Sequence, residues 1–395
     1  SWDKAHNLTT LILPNGNQTQ MQYDALGRLI RNRADNGAIS TYAYDIVGNL
    51  LELTEPTGNI HRFTYDRAGN VLSAKDEARE VHFKYWGLGK LKERIEQGRK
   101  LIFYYNTEEQ LKSIRNEAGE RYRLERDANG NVIGEWGFDG LNRTYERNPN
   151  GQVIEVTSPL HKATYSYTPL GQLSSVNYDD GNYEWFTYDK LGRITQAENP
   201  TSQTLWEYDV LGRIIAETQN GHRITHQYNA YGNRTAMESS LGAKLQHTYN
   251  EWGECLRTEV NQQAQVQTQT QATTPIALWQ ASYGYNRMGW EVARFLQGDV
   301  VQHTDYDLAG RVVAQRTDKA HSSGGYELSR RQYVWNPANQ LKAIIYNGKH
   351  TSFDYDAVGN LITKQRQFIK FLMPSGTYIE PLTAKGIRTA RAGGF

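Results

Sequence analysis

The sequence predicts an all-β fold: a continuous antiparallel β-hairpin ribbon, coiled into a spiral. Three observations carry that expectation. The first is a repeat. An aromatic residue followed by Asp or Asn, two variable residues and Gly recurs along almost the whole chain, with the aromatic at Trp2, Tyr23, Tyr44, Tyr65, Tyr85, Tyr105, Tyr167, Tyr188, Tyr208, Tyr228, Tyr249, Tyr285, Tyr306, Trp335 and Tyr355. Arg126 and Arg147 fill the steps between Tyr105 and Tyr167, which makes 17 units. The spacing is 20 or 21 residues, except for 36 from Tyr249 to Tyr285 and 29 from Tyr306 to Trp335. A fixed period of this length is the mark of a repeat architecture.

The second observation is turn chemistry. Asp first and Gly fourth describes a type I turn, in which the carboxylate bonds backbone two residues on and Gly takes the positive φ. The structural anchors are fullest in Tyr23-Asp24 with Gly27, Tyr44-Asp45 with Gly48, Tyr65-Asp66 with Gly69, Tyr188-Asp189 with Gly192, Tyr208-Asp209 with Gly212, Tyr306-Asp307 with Gly310 and Tyr355-Asp356 with Gly359. Pro149, Pro169 and Pro337 stand second in their turns, where φ near −65° is wanted. His6, Glu109 and Asn339 replace the Gly. Glu is poorly suited to a left-handed backbone, so a distorted turn is expected at Glu109. A second turn falls midway through each unit, as at Asn15-Gly16, Asn36-Gly37, Asp180-Gly181 and Asn347-Gly348.

The third observation is alternation with period two, which means strand. Position −2 from the anchor is usually aromatic too, as at Tyr42, Phe63, Phe186 and Phe353, and an aliphatic recurs six residues past the anchor, as at Leu29, Leu50, Val71 and Ile194. Each unit is then two strands of about six residues, and the whole is about 34 strands. Strand twist forbids so long a sheet from staying flat, so it coils. Residues −2 and 0 share a face, where rings of neighbouring strands are expected to stack. There is no compact core, and stability is a sum over neighbours.

Composition excludes several classes. The chain has 395 residues, 44 Lys+Arg against 43 Asp+Glu and a net charge of +1. That balance argues against a nucleic-acid groove or a polybasic membrane contact. A single cysteine, Cys255, excludes an internal disulfide framework and a multi-Cys zinc site. No stretch approaches the ~20 apolar residues that span a bilayer. The N-terminus, Ser1-Trp2-Asp3-Lys4, has neither a start Met nor a secretory pattern, so the chain is expected to be processed or a fragment.

The string Tyr-Asp-x-x-Gly-Asn/Arg-Leu, as in Tyr44–Leu50 and Tyr188–Ile194, resembles the YD repeat of RHS-repeat proteins, over residues 1–364. That family includes bacterial polymorphic toxins, the C components of insecticidal toxin complexes, wall-associated proteins and the animal teneurins. The resemblance implies a cocoon-like shell of about 17 YD repeats, the remaining RHS core and a C-terminal toxin or effector cargo as partners, and use in interbacterial competition. It implies delivery to the cell surface or outside, bacterial origin, and contact with a secretion apparatus. An adhesive ribbon that binds glycans through exposed Trp and Tyr is the alternative. Toxin shells of the family end in Asp-Pro motifs whose aspartates self-cleave. No Asp-Pro occurs here, so no catalytic residue is carried over, and a structural, non-enzymatic role is expected.

The remaining candidates read as structure. One Asp per turn falls short of a calcium site. His222 and His226, four apart on one strand, stand ~13 Å apart and cannot share a metal. Cys255 holds an aliphatic position and is expected to be a small buried hydrophobe. No metal or cofactor is expected. Two insertions, 259–280 with its Gln-rich run and 317–330, are expected to project as hairpins or loops. Residues 365–395 are expected to form a non-repeat tail.

Overall fold

The computed structural model describes residues 1–87, 89–262, 277–320, 324–356 and 359–368. Among them every regular element is a strand. Thirty-three strands, β1 (Thr10–Ile12) to β33 (Leu361–Phe368), form one antiparallel sheet in which sequence neighbours pair. An isolated bridge, Trp2 to Leu8, precedes them. The sheet is unclosed.

The predicted side-chain alternation is visible in exposure. In β4 (Ile39–Tyr44), Tyr42 and Tyr44 are half-buried while Thr41 and Ala43 are exposed, and β6 (Ile60–Tyr65) repeats the pattern. The buried hydrophobics are small: Ala38, Val81, Ala163, Val176, Ala216, Ala236, Ala281 and Ala343. No large side chain among the described residues is fully buried. A single-layer ribbon gives each ring cover from its strand neighbours only, so stability accrues rung by rung.

Both insertions lengthen the ribbon locally. β25 (Cys255–Gln262) and β26 (Ala277–Tyr285) pair as far as Asn261 with Ala277, and β29 (Val312–Lys319) pairs β30 (Tyr326–Trp335) with a register shift at Thr317/Asp318. Most of the Gln-rich run, 263–276, lies outside the described residues, as do 321–323. At the C-terminal end β33 stays paired to Phe368, opposite Lys349, four residues past the expected repeat boundary at 364. Residues 369–395 of the expected tail lie outside the described residues.

The ribbon comes back upon itself. Its two edges differ: anchor turns line one, mid-repeat turns the other. The Nδ2 of Asn17 donates to the carbonyl of Arg287 at 3.1 Å, and the Nδ2 of Asn15 to the same oxygen at 3.3 Å. The Nδ2 of Asn36 donates to the carbonyl of Leu308 at 2.9 Å, again 272 residues away. Each bond joins a mid-repeat turn to an anchor turn across one coil. Twenty-five strands, from β2 (Gln18–Tyr23) to β26, separate the first pair of turns. Burial marks the same seam. Asn17, Ala38 and Asn59 are 8, 8 and 3 % exposed, whereas Arg79, Arg99 and Glu120, in the corresponding places of later units, are exposed. On the opposite edge Pro337 is half-buried where Pro149 and Pro169 are exposed.

Candidate functional site: the joint between repeats

The anchor turn is closed by its first residue. The Oδ1 of Asp24 accepts from the backbone N–H of Leu26 at 2.9 Å and of Arg28 at 3.0 Å; the N–H of Gly27 donates to the Asp24 carbonyl. The same set recurs at Asp189 with Leu191 and Arg193, and Oδ1 of Asp45, Asp209, Asp307 and Asp356 accepts from the residue four on. The anchor glycines take positive φ, from +77° at Gly27 to +121° at Gly89. A register shift between positions −1 and 0 in every such hairpin, as at Thr64/Tyr65, is the bulge that accompanies a type I turn with a left-handed fourth residue.

Glu109 corrects the expected distortion. It takes φ of 63° and its N–H donates to the Asn106 carbonyl at 3.0 Å, so the turn keeps its shape and the residue carries the strain. Lys90 holds its side chain at 2.9 Å. Glu109→Gly is expected to raise stability by about 1 kcal/mol in chemical denaturation, the left-handed penalty of a residue with a Cβ.

These turns sense acid. Backbone N–H donation from Arg28 and Arg193 holds the carboxyls of Asp24 and Asp189 below their ordinary value, and the side-chain amides of Asn70 and Asn131 do the same first for Asp66 and Asp127. A depressed carboxyl pKa contributes stability above its ordinary value of 3.8 that is lost as pH falls through the folded value. The melting temperature is therefore expected to hold from neutral pH to about 4 and to fall below it; a fall already complete by about pH 6 would contradict this.

The joint itself is made by the anchor tyrosine. Between hairpins the strands pair only near the mid-repeat turn: Arg31 with Thr41, Asn32 with Ser40, Arg33 with Ile39. Nearer the anchor edge they part, and the carbonyl of Leu29 loses its ladder partner. The Tyr44 hydroxyl donates to it at 2.9 Å. All thirteen tyrosine anchors bond the carbonyl six residues past the preceding anchor, at 2.7–3.0 Å. The Trp335 Nε1–H does so to Val312 at 2.8 Å, and Arg147 to Val132 through Nε and Nη2. What the joint requires is a donor on a flat group of this reach. That accounts for Tyr over Phe and for Arg147 at the gap in the aromatic series; Arg126, the other residue of the gap, bonds the Gly130 carbonyl of its own turn instead.

The rings do not stack rung on rung. Anchors of successive units lie two strands apart, about 10 Å, beyond ring–ring contact. A cation fills the space in several units. Arg28 stacks over Tyr44 at 4.9 Å, Arg193 over Tyr208 at 4.6 Å and Arg213 over Tyr228 at 4.8 Å. The same Arg28 bonds its own Asp24 through Nε at 2.7 Å and the Asp45 carbonyl of the next turn through Nη1 at 2.7 Å. Where Asn stands instead, as at Asn49 and Asn70, its Nδ2 reaches only its own Asp. Arg thus ties two units together, and Asn closes one. Asp and Arg four residues apart was the available sequence signal; the span to the next unit was not visible there.

The other candidates remain separate. His222 is exposed and His226 half-buried on β22 (His222–Tyr228), with burial pushing the His226 ring pKa down. Among the described residues no three His, Cys, Asp or Glu side chains gather as a metal site. Cys255 is half-buried in polar company, which corrects the expected hydrophobe: its thiol lies 3.4 Å from the Arg257 carbonyl, 3.6 Å from Thr258 Oγ1 and 3.8 Å from His247 Nδ1. A polar node missed in the sequence centres on Glu135, which accepts from Tyr122, Tyr145 and Arg143 at 2.8–3.0 Å; burial and then Glu135 push the Tyr145 hydroxyl up to about 12.

The RHS Repeat family matches residues 2–38 and the Teneurin YD-shell family residues 90–206. Among curated proteins the chain is similar to the probable deoxyribonuclease RhsB of Dickeya dadantii (strain 3937), 25% identical over 276 residues, and to the probable deoxyribonuclease RhsA of the same bacterium, 26% identical over 234 residues. Two RHS/YD-repeat family models thus match separate parts of the chain. The two matches to curated proteins cover 62% and 54% of this chain but only 18% and 15% of those relatives. Its fold is that of a solved TcdB2-TccC3 structure, with a TM-score of 0.68, 12% identity and coverage of 88% of this chain and 22% of that one. A Photorhabdus luminescens Tc holotoxin pore structure, 13% identical over 92% of this chain and 23% of that one, has a TM-score of 0.51. The chain is thus a shell-type segment spanning about a fifth of the length of the proteins it matches. No helix of the described residues is long and apolar enough to cross a membrane, which says nothing of β-barrels.

Proposed function

We propose that this segment is wall: one coil and more of a hollow shell that encloses or displays a C-terminal toxin or effector for delivery to another cell. The observation that supports this most is the return of the ribbon upon itself across 272 residues, at Asn15 to Arg287 and Asn36 to Leu308. At about 4.8 Å per strand, a coil of this many strands has a circumference of about 120 Å and a backbone diameter of about 38 Å. Inward side chains leave a lumen of about 28 Å. A folded domain of about 100 residues, with a radius of gyration near 13 Å, is some 34 Å across. Cargo of that size would lie in such a tube extended or unfolded rather than as a native globule. The role is structural, and the chemistry named for the relatives is not assigned to this chain.

Electron microscopy of the full-length protein tests the reading. A particle with a wall one sheet thick around a lumen of about 28 Å is expected. Limited proteolysis should spare any enclosed segment while trimming exposed loops. A solid or open, extended particle would remove the proposal.

A further inference from the structure

We propose that the exposed face of β11 (Leu111–Arg115) and β12 (Arg121–Arg126) is a docking surface for an extended, acidic peptide segment. In β12 the alternation is complete: Arg121, Arg123 and Glu125 are exposed, while Tyr122, Leu124 and Arg126 are half-buried. Arg115 lies directly opposite Arg121 and so shares its face. Elsewhere on this face opposite charges pair across strands, Arg62 with Glu52 at 3.1 Å, Lys84 with Glu93 at 2.9 Å and Lys162 with Glu155 at 2.8 Å. Arg115, Arg121 and Arg123 have no carboxylate partner among the described residues. Two like charges set directly opposite each other destabilise a sheet, so folding does not account for them.

Rings hold these arginines where carboxylates hold the others. The Arg121 guanidinium stands over Tyr104, 5.7 Å from the ring centroid, and that of Arg123 over Trp136 at 4.1 Å. The Trp136 indole in turn lies across Gly134, where a Cβ would come within 2.6 Å of it. Stacking orients a guanidinium without using its N–H edge, which stays free to bond an oxyanion in bidentate fashion.

The occupant follows from charge and spacing. Side chains on one face of a strand recur about 7 Å apart, and an extended peptide has the same period. Carboxylates on alternate positions of such a peptide meet Arg121 and Arg123 together, and its next position, over Glu125, takes a Lys or Arg. Clusters of Arg read acidic motifs in this way. Glu117 and Glu120, exposed in the adjoining mid-repeat turn, add negative charge beside Glu125, which a uniformly charged nucleic-acid backbone would meet unfavourably. The inference does not depend on the shell reading.

Fluorescence anisotropy of the whole chain with a labelled Thr-Glu-Thr-Glu-Thr-Lys-Thr peptide tests it, beside a scrambled peptide of the same composition and a single-stranded oligonucleotide. The expected result is saturable binding of the first peptide, weakened by added salt, and weaker binding of the other two. Arg121→Glu with Arg123→Glu should weaken it by roughly tenfold or more. Arg31→Glu with Arg33→Glu, the same charge change on the same face of β3 (Leu29–Arg33), should leave it unchanged. If the reversed variant does not fold, Arg121→Gln with Arg123→Gln, which relieves the like-charge pair, should still weaken binding severalfold while the denaturation midpoint holds. No binding of the first peptide, equal binding of the scrambled one, an oligonucleotide bound more tightly, or equal losses in the two reversed variants would overturn the proposal.

Discussion

Tyr188→Ala is expected to destabilise the ribbon around β17 (Leu173–Tyr178) and β18 (Tyr183–Tyr188) by about 3 kcal/mol, and Tyr188→Phe by about 1. The hydroxyl donates to the Leu173 carbonyl at 2.7 Å, where the strands have parted and no backbone partner exists. Removing it leaves a half-buried carbonyl unpaired, which is the smaller loss. Removing the ring as well takes out the flat body that fills the gap between hairpins. The ring is half-buried, so the loss falls at the low end of large-to-small substitutions in a core. Hydrogen exchange is the suited readout, because a near-neighbour structure opens locally. Amides of β17 and β18 should lose protection while those of β4 and β6 keep theirs. Equal effects of Ala and Phe would show that the hydroxyl alone makes the joint; uniform loss along the ribbon would show that the units are not independent.

Gly310→Ala is expected to cost about 3 kcal/mol against about 1–2 for Gly48→Ala. Both glycines take positive φ, +83° and +103°, so both substitutions meet the left-handed penalty. They differ in what surrounds them. A Cβ on Gly48 meets nothing within 4 Å, whereas one on Gly310 comes within 2.9 Å of Cζ2 of Trp290. That indole packs on Tyr306, with ring centroids 5.2 Å apart, so it cannot give way without disturbing the next joint. The difference between the two variants in denaturant midpoint measures that clash. Equal midpoints would mean that Trp290 moves freely.

Much of the local structure was legible because it is made within a few residues. Asp, two residues and Gly specify a turn whose every hydrogen bond closes inside five positions, and period-two alternation follows from the pleat. Glu109 shows how far that reading goes: neighbouring strands impose the turn, and an unsuitable residue is bent into it rather than the turn being distorted. The joint was legible only in part. Tyr at the anchor was evident, yet its hydroxyl answers to a carbonyl 14 or 15 residues away, or 30 at Tyr285, whose lack of a partner depends on how adjacent hairpins splay. The same holds for the arginines, whose spacing from Asp was on the page but whose reach to the next turn was not.

By itself, then, the sequence determined the unit, its two turns, its strands and their order, since each depends on contacts between residues at most one repeat apart. Only the tertiary structure decided the coil: how many strands make one circuit, which edge meets which, and which three mid-repeat turns become buried. Those depend on small twists summed over twenty-five strands, and no single pair of residues encodes the sum. Asn17 and Asn36 look like ordinary turn residues until the chain returns 270 and 272 positions later and sets a carbonyl against their amides.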